Sequence, residues 1–114
     1  MIKNIFFAGL LLLAVSCSST KNAKTESAGQ TEVARGAAKF PGYTQEDWNK
    51  GKAIYTKNCG SCHGLKDPKL YSEESLRGIV PNMVVKTNKK LGMVIDDKDE
   101  EILLRYLISM SAAK

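Results

Sequence analysis

Apolar side chains are spread unevenly along the 114 residues. An apolar run from Ile5 to Val15 comes first, residues 18–40 carry almost no large apolar side chain, and from Tyr43 onward apolar residues recur at spacings of three and four. Thr44, with Asp47 three residues later, is a variant of a capping box and predicts a helix start. Trp48, Gly51, Lys52 and Tyr55 then share one face of that helix. A second helix is predicted from Ser72, because "SEES" puts acids in the first turn, where the helix dipole favours them. Leu76, Ile79 and Val80 follow at core spacing, and Pro81 is expected to end or kink the helix. A third is predicted to begin near Asp97 or Asp99, with Ile102, Leu103, Tyr106, Leu107 and Met110 as a broad apolar stripe. No strand-like alternation of useful length appears, so the fold class is all-α with three main helices. Gly51 costs such a helix about 1 kcal/mol relative to Ala, which a close helix crossing would explain.

Only residues 41–114 can then build a core. A domain of about 70–80 residues gains little net stability from its core alone and generally needs a staple: disulfides, a metal or a large buried ligand.

The front of the chain reads as an address. In "MIKNIFFAGLLLLAVSC", Lys3, the apolar run and small residues form a secretory signal too short to span a bilayer comfortably. Its end, "LAVSC", resembles a bacterial lipoprotein cleavage site, with Ala14 and Ser16 ahead of Cys17. The resemblance implies removal of residues 1–16 and lipid on Cys17. Acyl methylenes at about 0.8 kcal/mol each make a firm anchor. Residues 17–40 then read as the lipidated Cys and a flexible tether, which reaches about 25 Å by the random-coil rule. The expected location is the periplasmic side of a bacterial membrane.

The formal charge of +5 is not a nucleic-acid signal, because residues 41–114 hold 12 Lys/Arg against 10 Asp/Glu. The densest basic stretch, "KTNKK" (Lys86, Lys89, Lys90), has no interleaved aromatic residue. It reads as a solvated loop or a contact for an acidic protein partner.

"CGSCH", Cys59 to His63, carries the chemistry. A structural zinc site needs four ligands, and this clip offers three, with the only His of the chain directly following Cys62. A thioredoxin-like pair needs a βαβ context, which is missing from the pattern. C-x-x-C-H is the attachment pattern of c-type haem: each thiol adds to one vinyl group, and His63 supplies the proximal imidazole to the iron. Export fits this reading, since such attachment takes place outside the cytoplasm.

The segment "YTQEDWNKGKAIYTKNCGSCHGL" resembles the opening of a small monohaem cytochrome c of class I type, and "KDEEILLRYLISM" resembles the C-terminal helix of that family. The resemblance spans residues 43–111. It implies three helices around one covalent haem c, with Tyr106 packed on Gly51. It also implies a Pro carbonyl, here that of Pro68, accepting from the proximal imidazole. A methionine as sixth ligand would raise the potential and close the iron to outside ligands. Met83, Met93 and Met110 are available. Met110 lies on an apolar stripe, and neither of the other two precedes Pro as is usual in the family. "LYSEESLRGIVPNM" is similar to a subgroup of short bacterial cytochromes, which favours Met83 over Met93. The expected function is a membrane-tethered one-electron carrier between redox protein partners, without a catalytic site of its own. The alternatives are a haem-based gas sensor and a haem subunit of a larger oxidoreductase.

Overall fold

The computed structural model describes residues 23–111. The expected signal peptide, residues 1–16, and Cys17 lie outside the described residues. Four helices follow in order: α1 (Ala23–Lys39), α2 (Gln45–Asn58), α3 (Glu73–Leu91) and α4 (Asp97–Met110). Two 3-10 turns, Cys59–Ser61 and Pro68–Leu70, lie between α2 and α3. Among the described residues there is no strand, so the fold is all-α.

The helix starts follow from their caps. The Asp47 N–H donates to Thr44 Oγ1 at 3.2 Å, and the Thr44 N–H donates to Asp47 Oδ2 at 2.9 Å. Two orphan donors of α2 are thereby satisfied reciprocally. Ser72 accepts from the Ser75 N–H at 3.2 Å and Asp96 from the Asp99 N–H at 2.8 Å, which start α3 and α4. Gly92, at φ 82°, ends α3 in the left-handed conformation that glycine adopts freely.

The core centres on the crossing of α2 and α4. A Cβ on Gly51 would lie 2.3 Å from Tyr106 Cβ and 3.0 Å from the Ile102 carbonyl oxygen, so only glycine permits this approach. Tyr106 packs edge-on to Trp48, with ring centroids 5.5 Å apart. Leu103, Leu107 and Ile108 of α4 and Leu76, Val80 and Val84 of α3 complete the buried cluster.

Two expectations are corrected. The reading of residues 17–40 as a flexible tether fails over 23–39, which form α1 against α2 and α4. The folded unit therefore begins ahead of residue 41. Large side chains are unnecessary on α1 because its seat supplies them. Gly29 lies over the Trp48 ring, and a Cβ on Gly36 would meet Tyr43 Cε1 at 2.4 Å. Val33 and Phe40 pack on the core, and an ion pair joins Lys39 to Glu73 at the start of α3. Arg35 Nε, Tyr43 Oη and Trp48 Nε1 are buried with no hydrogen-bond partner among the described residues.

The second correction is Pro81, which does not end α3. Leu76 and Val80 before it and Val84 and Thr87 after it are buried on one continuous stripe, so packing holds the helix across the missing donor. The Asn82 side-chain amide donates to the Gly78 carbonyl at 3.0 Å beside that gap.

Candidate functional site

Where α2 ends, its last turn tightens into the Cys59–Ser61 3-10 turn, and the chain opens a cavity of about 460 Å³ between that turn, α3 and α4. The volume is that of an ordinary small-molecule or cofactor site. Tyr55, Leu76, Val80, Leu103 and Leu107 give it apolar walls. Its sulfur and imidazole groups are those of Cys59, Cys62, His63 and Met83, and Lys66 and Lys86 also border it. The predicted clip and one of the two candidate methionines thus meet at one cavity.

Met93 does not line it: that side chain is 80% exposed, in the turn after α3. Met110 packs against the core, as its place on the α4 stripe suggests. Cys59 is half-buried and Cys62 exposed, and the two are not bridged. Burial, then the neighbouring Cys62, pushes the Cys59 thiol above its ordinary pKa, so it rests protonated.

His63 Nδ1 lies 2.8 Å from the Gly64 carbonyl oxygen. A carbonyl only accepts, so Nδ1 carries the proton and the Nε2 lone pair is left for a metal. Pro68 also lines the cavity and is buried, but its carbonyl accepts from the Tyr71 N–H at 3.1 Å. The carbonyl beside the imidazole is that of Gly64, the next residue in the chain. Sequence reasoning missed this partner because the preference for Pro68 rested on the resemblance alone. It also missed Tyr55, whose hydroxyl donates to the Lys66 carbonyl and ties down the segment after His63. Burial is the main cause that raises the pKa of this phenol, which remains a donor at neutral pH.

The donor set can be tested against its possible occupants. Two thiols, one imidazole and one thioether face an apolar slot, and among the described residues no group of three His, Cys, Asp or Glu side chains could hold a bare metal ion. A flat, largely apolar group with a metal at its centre fits these walls. The thiols would bind its edge, and imidazole and thioether would reach the metal.

Residues 48–102 match the family model for cytochrome c. No curated protein and no solved structure matches the chain. The matched residues hold the clip and much of its cavity and form a c-type cytochrome domain, of a family that binds haem c covalently and generally transfers electrons.

Proposed function

We propose that this protein is a membrane-tethered one-electron carrier in which Met83 is the sixth ligand. The observation that carries the reading is the placement of Met83 in the same cavity as His63, with Met93 outside it. Bound there, haem supplies one-electron exchange at its iron. Cys59 and Cys62 would hold the group by thioether bonds, and the Gly64 carbonyl sets the imidazole tautomer. Leu76, Val80, Leu103 and Leu107 keep water from the buried side. With His63 and Met83 both donating to it, the metal would keep its ligands as it gained or lost an electron.

The apolar run Ile5–Val15 and the "LAVSC" end support export and lipid attachment at Cys17, on the periplasmic side of a bacterial membrane. No described helix is long and apolar enough to cross a membrane. The partners are redox proteins that donate and accept single electrons.

Absorption spectra of the exported protein, oxidised and reduced, with and without carbon monoxide, test the reading. The carrier predicts a low-spin spectrum with a weak red methionine–iron band, unmoved by carbon monoxide. Met83→Ala is expected to abolish that band and open the iron to carbon monoxide, and Met93→Ala to leave both unchanged. A parent spectrum that shifts on carbon monoxide would instead make the protein a gas sensor.

A further inference from the structure

The turn between α3 and α4 is built to be seen from outside. Leu91, Met93 and Val94 are all exposed, and Val85, 67% exposed, stands on α3 six residues before Leu91. The turn is nonetheless fixed. Asn88 accepts from the Ile95 N–H at 2.9 Å and donates to the Ile95 carbonyl at 2.7 Å, and its own carbonyl accepts from the N–H groups of Gly92 and Met93. Met93 sits at φ 48°, the left-handed region that a side chain disfavours. A clamped, strained turn that presents three apolar side chains to water points to a contact made there.

The charge around the tip indicates what it meets. Residues 75–95 contain four basic side chains, no acidic one and no aromatic one. Lys86, Lys89 and Lys90 precede the tip, and among the described residues no carboxylate pairs with them. Lys90 reaches only the Ser61 carbonyl, at 2.7 Å. Protein interfaces favour aromatic and Arg anchors and are depleted in Lys. An exposed apolar tip backed by exposed lysines, of which Lys86 also borders the cavity, is suited to a lipid headgroup layer, since such side chains can rest their stems on apolar surface and keep the ammonium groups in water. We propose that the α3–α4 turn is a docking tip for an anionic lipid surface, with Leu91, Met93 and Val94 entering the interface and Lys86 and Lys89 held by headgroup phosphates. The inference goes beyond the electron-carrier reading and requires neither the haem nor the acyl anchor.

A depth measurement on the full, haem-loaded chain tests it. A nitroxide is placed at Met93→Cys, with a control at Glu74→Cys, near the other end of α3, roughly 25 Å away at 1.5 Å per residue. Cys59 and Cys62 are consumed by the haem, and the parent chain labelled in parallel reports any signal from Cys17. Vesicles are phosphatidylcholine with or without phosphatidylglycerol. On the anionic vesicles, collisions with oxygen should rise and those with a water-soluble nickel chelate should fall at residue 93 alone. With Lys86→Gln and Lys89→Gln together, the inserted fraction should drop about tenfold or more. A label that stays as wet on anionic vesicles as in solution overturns the proposal, as does insertion that is equal on neutral vesicles and unchanged by the lysine substitutions. Immobilisation by polyglutamate but not by vesicles would transfer the tip to an acidic protein partner and overturn it too.

Discussion

Two glycines in helices make opposite predictions from the same chemical change. Replacing an exposed helical Gly by Ala stabilises a helix by about 1 kcal/mol. Gly78 is such a position: a Cβ built there meets nothing within 4 Å, and Gly78→Ala is expected to gain roughly that amount. Gly51 lies in a helix as well, but its Cβ would stand 2.3 Å from Tyr106 Cβ and 3.0 Å from a backbone oxygen of α4. Neither neighbour is the far end of a flexible side chain. Relief requires α2 and α4 to separate by more than 1 Å, since carbon atoms pack at about 3.5–4.0 Å. That movement unpacks Tyr106 from Trp48 as well. Overpacking of this kind costs typically 1–3 kcal/mol, and the longer side chain of Val reaches the upper end or beyond. Because neither neighbour can swing aside, the cost lies in the upper part of that range, about 2–3 kcal/mol, so Gly51→Ala should be net destabilising by about 1–2 kcal/mol after the propensity gain, or roughly 5–15 °C in Tm for a domain of this size. The assay is thermal unfolding of the haem-loaded chain followed by far-ultraviolet circular dichroism. If Gly51→Ala melts at or above the parent temperature, the close crossing of α2 and α4 is refuted.

Other outcomes follow from the same packing. Gly36→Val should lift α1, since a Cβ there already meets the Tyr43 ring at 2.4 Å; limited proteolysis should then cut within residues 23–39 while leaving α2 to α4 intact. Burial pushes Tyr106 up to about 12, so in an ultraviolet pH titration its phenol should ionise well after an ordinary tyrosine. The unfolded chain loses that proton first, so this contribution is intact below pH 10 and is lost between pH 10 and about 12. Thr44→Ala removes one half of the α2 capping box and should cost about 1 kcal/mol in denaturant unfolding.

What the sequence disclosed and what it hid divide along a physical line. Local chemistry was legible: Thr44 with Asp47, Ser72, and the acids around Asp97 each announce a helix start through hydrogen bonds made within a few residues. The Gly51 anomaly announced a close crossing, because an interior glycine needs a reason. Features that depend on a distant partner were hidden. α1 looks like a linker because its own residues are small, and only the Trp48 and Tyr43 side chains on the other surface make small residues the right complement. The recurrence of Gly29, Val33, Gly36 and Phe40 at helical spacing was the available signal. Pro81 looks like a stop because the lost hydrogen bond is local, whereas the burial of Val80 and Val84 that outweighs it is tertiary. At the site, "CGSCH" stands out by spacing alone. The choice between Met83 and Met93 required knowing which of them faces the cavity, and Tyr55 and Gly64 emerged only as hydrogen-bond partners in space.

The shallow seat of α1 grades the stability of the whole domain. The buried apolar cluster comes from α2, α3, α4 and the turns beside them, and of the described side chains of α1 only Val33 packs on its edge, so lifting α1 exposes less apolar surface than parting α2 from α4. Opening thus has a fixed order, with α1 as its first step. Its amides exchange with solvent ahead of those of α2 and α4, so the domain has an outer shell that breathes while the helices around the cavity stay shut.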